Sequence, residues 1–242
     1  GGADQNLILI DKVPVYNPNH LLGLFSVFNN DAVRDVKLYK AAYPAEYSGR
    51  LSSVLDVNMR SGSMDSLSVS GGIGFLSSRL TVEPPITKGK SSFIVSGRRT
   101  YFDIFTNALN RAYKGDSTFD QIPSYFFSDL NFKADWLLNR NNSISATGYW
   151  GSDNFSSPAS REHSAKFICG NKTASLSWKK TIPNKVEILS TGFYSSYNYT
   201  LSNKFSFNDL QLRSGINTIG LKITGRTISS SALQLQGGLE GM

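Results

Sequence analysis

The stretch "SDLNFKADWLLNRNNSISATGYW", Ser128 to Trp150, alternates apolar and polar residues in two runs separated by the polar letters NRNN. Along the first run, one face carries Leu130, Phe132, Ala134, Trp136 and Leu138, and the other carries Asp129, Asn131, Lys133 and Asp135. Along the second run, the apolar face carries Ile144, Ala146, Gly148 and Trp150. Successive side chains of a strand point to opposite faces, so a period of two predicts two strands joined as a hairpin.

The same alternation recurs through most of the chain after Gly62. It runs from Leu67 to Phe75 and then changes phase at Leu76, which we interpret as a bulge or bend. The segment 106–125 is predicted to be a long polar connection. We expect roughly eight strands after residue 62, many of them longer than the five or six residues usual in globular proteins.

Composition excludes several classes of protein. The chain has 242 residues, of which 40% are hydrophobic and 18% charged, so it is not a disordered chain. The aromatic content of 12% and the 21 glycines favour β structure. The net charge is +7, but the basic residues are scattered and no nucleic-acid-binding motif is present, so no nucleic-acid partner is expected.

Residues able to carry chemistry are sparse. Cys169 is the single cysteine, and His20 and His163 are far apart in sequence, so neither a disulfide nor a metal site is predicted. No G-x-S-x-G signature occurs, and "GGIG" lacks the strand–helix context of a dinucleotide loop. The sequence therefore predicts a protein that is not an enzyme and has no cofactor.

Two architectures account for the alternation. In a soluble sandwich the apolar faces meet in a core, whereas in a transmembrane barrel they face lipid around a polar lumen. No run approaches the roughly 20 apolar residues of a membrane helix, and only helices or closed barrels satisfy all backbone groups in hydrocarbon. The long strands and the aromatic residues near their predicted ends favour the barrel. These aromatic residues are Tyr101, Phe102, Tyr125, Phe126, Phe127, Tyr149, Trp150, Trp178, Tyr197 and Tyr199.

The first sixty residues, in "LILIDKVPVYNPNH" and "FNNDAVRDVKLYKAAYPAEYSGRLSSVLDVNMRSG", resemble the C-terminal half of the plug domain of TonB-dependent outer-membrane receptors. That family has a V-L-V-D-G-V-P-like turn, then N-P-x-D-I-E-x-I-E-V-L-K-G-P, A-x-Y-G and G-G-V-I-N-I-x-T-K. The matching residues are Asp11, Val13 and Pro14, then Asn30, Asp31, Val33, Val36, Leu38 and Lys40, then Tyr47, Gly49, Val54, Leu55, Val57 and Arg60. Lys12 replaces the glycine of the D-G turn, which costs free energy if the backbone is left-handed there.

The resemblance implies a mainly β fold. Residues 1–62 would be the C-terminal part of a small α/β plug domain, and residues 63–242 would be the N-terminal strands of a transmembrane antiparallel β-barrel. The side chains of an eight-stranded barrel fill its interior, so a barrel that encloses a plug would need about 22 strands. The chain would therefore be a fragment of a larger receptor. Within the plug, we expect Asn30 or Asp31 to cap a short helix that packs through Ala32, Val33 and Val36.

The resemblance also implies a function in the outer membrane of a Gram-negative bacterium. The receptor would bind a scarce substrate outside the cell and import it by TonB-coupled movement of the plug. Its partners would be the TonB complex, through a segment that this chain lacks, outer-membrane lipid and lipopolysaccharide, with a surface lipoprotein as a further candidate. The alternative is a receptor-like barrel that acts as a structural scaffold or partner-binding subunit without transport.

Two groups of site residues follow from these expectations. Tyr16, Asn17, Asn19 and His20 form a polar, aromatic plug loop that either binds ligand or packs against the barrel wall. The candidates for contacts between plug and barrel are Glu46, Arg50, Asp56 and Arg98. Arg98 lies in the polar register of its strand, where it would pair with Glu46 or Asp56 or be solvated by channel water. The substrate stays open among ferric siderophores, cobalamin, glycans and peptides.

Overall fold

The structure is a computed structural model that describes residues 5–20, 23–40, 43–47, 49–116, 118–157, 163–205, 208–228 and 234–242. Most of these residues lie in strands, and α1 (Phe102–Ala112) is the α-helix of the described part. The strands are β1 (Leu7–Ile10), β2 (Val13–Pro14), β3 (Asn19–His20), β4 (Phe25–Ser26), β5 (Val33–Tyr39), β6 (Val54–Met59), β7 (Ser68–Ile73), β8 (Ser77–Glu83), β9 (Pro85–Thr87), β10 (Ser91–Thr100), β11 (Ser124–Asn139), β12 (Asn142–Ser156), β13 (His163–Ile182), β14 (Val186–Phe205), β15 (Asp209–Thr227) and β16 (Gln236–Gly241).

The N-terminal segment, by which we mean the described residues up to 62, contains a small sheet in the order β2-β1-β6-β5. Strands β1 and β6 run parallel, and the other neighbours run antiparallel. Asp11 and Lys12 form the β1–β2 turn with φ angles of 45° and 71°, so Lys12 does adopt the left-handed backbone of the glycine it replaces. The Lys12 Nζ lies 2.6 Å from Asp56 Oδ2 and 2.9 Å from the Tyr47 hydroxyl, two polar contacts that a glycine at this position could not make.

The helix expected after Asn30 is wrong. Residues Val33–Tyr39 form strand β5, which pairs with β6 in a register that includes Val36 opposite Val57. The Oδ1 of Asn29 accepts a hydrogen bond from the Asp31 N–H at 3.2 Å, so the polar residues here make a turn rather than a helix cap. In the described residues 23–40, the segment predicted as a helix is therefore a turn followed by a strand.

The large sheet has ten antiparallel strands, with β16-β15-β14-β13-β12-β11-β10-β8-β7 in order and β9 paired to β10. This mainly β, barrel-type sheet confirms the predicted fold class, although it does not close on itself. The phase change near Leu76 is a tight turn between β7 and β8, closed by the Gly74 N–H on the Ser77 carbonyl at 2.9 Å, rather than a bulge. This turn and the short strand β9 raise the number of strands to ten, against about eight expected.

Helix α1 lies inside the segment that we predicted as strand and polar connection, so that prediction is wrong as well. The helix follows β10 and leads through residues 113–123 into β11. With 11 residues α1 is too short to span a bilayer, and the structure describes no membrane-spanning helix elsewhere in its residues.

The large sheet has its polar face buried and its apolar face exposed. Along β11, Asp129 and Asn131 are 3% and 4% exposed, whereas Leu130 and Phe132 are 45% and 38% exposed. The N-terminal segment covers the polar face, which we call the inner face, and the opposite face is the outer face. This polarity is the reverse of a soluble sandwich and agrees with a barrel wall.

Some of the aromatic residues expected at the membrane interface lie elsewhere. Tyr125, Phe127 and Tyr149 are buried on the inner face, and Phe127 is fully covered. Trp150 and Trp178 are exposed on the outer face, as an interfacial position requires.

The strands lengthen along the sheet. Strands β13 and β14 have 20 residues each and β15 has 19, and their pairing is continuous from end to end. Among the described residues of these strands, the exposed large apolar side chains of the outer face lie in the half nearer the β13–β14 turn, as at Leu176 and Leu221.

Leu176→Arg tests whether the outer face contacts hydrocarbon. If it does, the substitution should lower the free energy of unfolding of the full-length protein by roughly 2–4 kcal/mol, because the guanidinium leaves water for lipid. The measurement is urea unfolding of the protein in lipid vesicles.

The control is Asn198→Arg, on the outer face of β14 nearer the other end of the sheet, which should change stability by at most about 1 kcal/mol. Equal, small effects at both positions would mean that the outer face is in water.

Candidate functional site

His20 joins the N-terminal segment to the large sheet through two carboxylates. Its Nε2 lies 2.8 Å from Asp129 Oδ1 on β11, and its Nδ1 lies 2.6 Å from Asp153 Oδ2 on β12. His20 is 2% exposed. Because both ring nitrogens face carboxylate oxygens, both must carry hydrogen when the carboxylates are ionised, so the ring is an imidazolium.

The ring of His20 is also fixed by stacking. It lies parallel to the Phe127 ring, with an angle of 2° between the planes and 4.2 Å between the centroids. His20 ends the short strand β3, which pairs with β4, and Phe25 of β4 contacts the same Phe127 ring at 5.4 Å. The backbone hairpin and the aromatic contacts therefore hold the imidazolium between its two partners.

Arg98 supplies the second cation of this cluster. It lies opposite Asp129 in the β10–β11 register, and its Nε and Nη2 are 2.9 Å and 2.5 Å from Asp129 Oδ2. Its Nη2 also donates to the Ser26 carbonyl at 2.6 Å, so Arg98 contacts the N-terminal segment through the backbone and not through Glu46 or Asp56. Two carboxylates, one guanidinium and one imidazolium leave no net charge, which the buried position requires.

The two carboxylates have further donors. The Tyr149 hydroxyl donates to Asp129 Oδ1 at 2.8 Å, and the Tyr125 hydroxyl donates to Asp153 Oδ1. These hydroxyls belong to the large sheet, so each anion has a hydrogen-bond donor that does not depend on His20.

The surroundings of His20 shift its protonation. Burial alone lowers the pKa of His20, but the hydrogen bonds from the ring to Asp129 and Asp153, together with their negative charges, raise the pKa above its ordinary value of 6.5. The net effect favours the charged ring, in agreement with the two-carboxylate geometry.

A second ionic contact lies nearer the opposite end of the sheet. Lys133 of β11 is 9% exposed, and its Nζ lies 3.1 Å from Asp11 Oδ2 and 2.9 Å from the Met59 carbonyl. The Met59 N–H donates to Asp11 Oδ1 at 2.9 Å. Burial raises the pKa of Asp11, although Lys133 and the Met59 N–H act in the opposite direction.

The predicted loop residues Tyr16, Asn17 and His20 contact the large sheet. The Tyr16 hydroxyl is hydrogen-bonded to the Thr218 hydroxyl, and Asn17 exchanges two hydrogen bonds with Asn171, at 3.4 Å and 2.6 Å. These contacts match the alternative that the loop packs against the wall.

Asn17 and Asn19 also line a cavity of about 390 Å³ at the start of β11 and β13. Its remaining lining is mostly aromatic, and ligand binding there stays a prediction. The lining residues contributed by the sheet are Tyr125, Asp153, Phe155, Phe167, Cys169 and Tyr197.

The other predicted contacts fall in different places. The Glu46 carbonyl accepts a hydrogen bond from Lys222 Nζ at 2.6 Å, and its Oε2 accepts one from Gln236 Nε2 at 2.9 Å, so Glu46 contacts the large sheet. Asp56 lies within the N-terminal segment, where it accepts from Lys12 and Tyr47. Arg50 is exposed, and its carbonyl accepts from Tyr43 in the same segment.

The sequence did not single out Asp153, nor Asp129 and Lys133 as partners of the N-terminal segment. All three residues lie on the polar faces of predicted strands. The only sequence signal for these contacts was that this polar face would be covered by the N-terminal segment. In the described ranges, no cluster of three or more His, Cys, Asp or Glu residues has the arrangement of a metal site.

Comparison with solved structures identifies the fold. The chain is similar to the siderophore receptor PirA from Acinetobacter baumannii, with 12% identity and a TM-score of 0.68. It is also similar to the ferric enterobactin receptor PfeA from Pseudomonas aeruginosa, solved as the R480A mutant with enterobactin, with 15% identity and a TM-score of 0.64. The matches cover 99% of this chain and 40% and 41% of those chains.

The chain therefore has the fold of part of these two receptors, which is the mainly β, barrel-type fold that the sequence predicted. It spans about two fifths of the length of these two receptors. A scan against protein-family models and a search of curated proteins each found no match.

The raised pKa of His20 gives a pH dependence with a defined sign. Stabilisation by the charged ring should be complete below the ordinary histidine pKa of about 6.5 and lost as pH rises through the higher folded-state value. We expect NMR titration of the labelled imidazoles in the full-length protein to show His20 titrating above pH 6.5, with His20→Gln identifying its signal.

Asp153→Asn should lower that pKa, because it removes one of the two charges that stabilise the imidazolium. Asp209→Asn changes an exposed carboxylate of β15 and should leave it unchanged. A His20 pKa at or below 6.5 would contradict the two-carboxylate geometry.

Lys133→Met should destabilise the protein by about 3–5 kcal/mol, because it leaves the buried Asp11 without its cation. Adding Asp11→Asn should recover most of this loss, since the amide keeps an oxygen for the Met59 N–H and needs no counter-charge. The measurement is urea unfolding of both variants. If the double variant is as unstable as Lys133→Met, the loss arises from packing rather than from the ion pair.

Proposed function

We propose that this chain is part of an outer-membrane receptor of a Gram-negative bacterium. The receptor binds a scarce substrate outside the cell and imports it by TonB-coupled movement of a plug. Residues 1–62 are the C-terminal part of the plug domain, and residues 63–242 are the N-terminal strands of the transmembrane barrel.

One observation carries the proposal: the N-terminal segment lies on the polar inner face of an inside-out sheet and is held there by ion pairs and hydrogen bonds. The contacts through His20, Lys133 and Glu46 span strands from β11 to β16. A sheet with an apolar outer face and a covered polar face is what a plugged pore in a membrane requires.

The chemistry of these contacts suits a plug that moves. A hydrogen bond contributes only about 1 kcal/mol net, because water replaces the partner when the bond opens. Arg98 stays paired with Asp129 on the sheet, so one charge of the cluster remains neutralised after His20 leaves.

The two similar solved structures indicate which substrate class to test first. They are a siderophore receptor and a ferric enterobactin receptor, which supports ferric siderophores as the first class to test. The cavity beside Asn17 and Asn19 offers aromatic side chains for contact with such a ligand.

A disulfide across the contact between plug and wall tests the proposal. Asn29 Nδ2 lies 2.8 Å from Ser96 Oγ of β10, so oxidised Asn29→Cys/Ser96→Cys should tether the plug to the sheet. In cells that carry the full-length variant, we expect uptake of ferric siderophore to stop on oxidation and to recover on reduction, while substrate binding persists.

The matched control is Thr147→Cys/Ser175→Cys, a pair within the wall whose hydroxyls are 2.6 Å apart and whose disulfide should leave uptake unchanged. Uptake that continues with the plug tethered would refute plug movement. Deletion of the gene without loss of uptake of any substrate class in a panel would support the scaffold instead.

A further inference from the structure

Helix α1 is amphipathic in the opposite sense to a helix on the surface of a soluble protein. Its buried residues are the polar Asp103 and Thr106. Its apolar residues point outward, with Ile104, Phe105 and Leu109 exposed by 57%, 47% and 44%. A helix in water places its apolar stripe on the protein, so α1 has the polarity of a helix that faces a non-aqueous phase.

The polar side of α1 is fixed to the protein by specific contacts. Arg99 Nη2 lies 2.8 Å from Asp103 Oδ2, and the Arg99 guanidinium lies over the Phe126 ring at 4.6 Å. The Asn110 side chain exchanges two hydrogen bonds of 2.9 Å with the backbone of Ile122. These contacts determine which side of the helix faces away, so the exposed apolar side is a property of the fold.

The attachment lies on the outer face of the large sheet. Arg98 points to the inner face, where it contacts Ser26, so the next residue, Arg99, points to the outer face. Outward-facing Leu130 of β11 and Trp150 of β12 lie opposite each other in register, towards the end of the sheet where α1 sits. Phe105 of α1 stacks on the exposed Phe75 of the β7–β8 turn at 6.1 Å, which extends the apolar surface.

The C-terminal end of α1 carries positive charge beside the apolar side. Arg111 in the last helical turn and Lys114 just beyond it are both exposed. Basic residues beside an apolar stripe are the pattern of helices that lie in a membrane interface, with the apolar side in the acyl boundary and the cations among the headgroup phosphates.

We propose that α1 is a membrane-interface helix that lies on the outer leaflet beside the barrel, with Ile104, Phe105 and Leu109 among the lipid chains. The proposal rests on the membrane placement proposed above and is independent of transport. The exposed apolar side of α1 contacts lipid in this proposal, because it continues the apolar outer face of the sheet and is bordered by the basic residues Arg111 and Lys114.

Quenching of a fluorophore at single introduced cysteines tests this. Ile104→Cys labels the apolar side, and Asn107→Cys labels an exposed polar position of the same helix. The full-length protein is reconstituted in phosphatidylcholine–phosphatidylglycerol vesicles, and doxyl-labelled lipid and aqueous iodide are compared as quenchers. The unsubstituted protein, whose Cys169 is buried, gives the labelling background.

We expect lipid quenching at Ile104 to exceed that at Asn107 several-fold and iodide quenching to show the reverse order. Iodide quenching at both positions without lipid quenching would overturn the proposal and leave the helix in water. Protection of Ile104 from both quenchers would also overturn it, because another protein segment would then cover the helix.

A fluorophore at Phe132→Cys, on the outer face of β11, separates this inference from the membrane placement. Lipid quenching at Phe132 but not at Ile104 would reject the interface helix and leave the barrel intact. Absence of lipid quenching at both would reject the membrane placement itself.

Discussion

The rest of the structure depends on the neutralisation of charges on the inner face of the large sheet. Asp129, Asp153 and Lys133 are buried there, and a buried charge without a partner costs several kcal/mol. Arg98 is the partner within the sheet, but His20 and Asp11 come from the N-terminal segment. The sheet and the segment are therefore each incomplete without the other, although sequence distances of more than a hundred residues separate the paired groups.

The same polarity explains how two opposite surfaces coexist on one sheet. A core of apolar side chains would hold the N-terminal segment by exclusion of water, and any movement would expose that core. Beside the contacts of Phe127 and Tyr149 with the N-terminal segment, ion pairs and hydrogen bonds hold the segment by polar contacts in which water can replace the partner. The apolar residues, displaced to the outer face, are free to contact lipid, and α1 extends this arrangement beyond the strands.

The sequence predicted those features that depend on a local period. Alternation from Ser128 to Trp150 predicted β11, β12 and the residues on each of their faces. Side chains of a strand alternate in the same way whether the apolar face contacts a protein core or lipid. The turn at Asp11 and Lys12 was predictable from the family motif, although Lys12 stands where that motif has glycine. Arg98 and Asp129 lie opposite each other, so pairing β10 with β11 would have found that contact.

What the sequence did not reveal depends on tertiary contacts. Helix α1 was missed because its polar residues Asp103 and Asn110 bind Arg99 and Ile122, and residue spacing in the sequence does not reveal such contacts. The helix predicted at Asn30 was wrong because asparagine beside aspartate caps turns as well as helices, and pairing of Val36 with Val57 favoured a strand. The partners of His20 lie 109 and 133 residues away and are visible only once the hairpins are placed.

The length of β13 and β14 has a further consequence on this placement. A tilted strand of 9–11 residues crosses a bilayer, so roughly half of each 20-residue strand projects beyond the hydrocarbon, by about 20 Å. Lys166, Lys172 and Asn198, on the outer face of the projecting part, are exposed. The mouth of the pore would thus be a hydrated collar raised above the headgroups, within reach of antibodies and phages that meet the cell from outside.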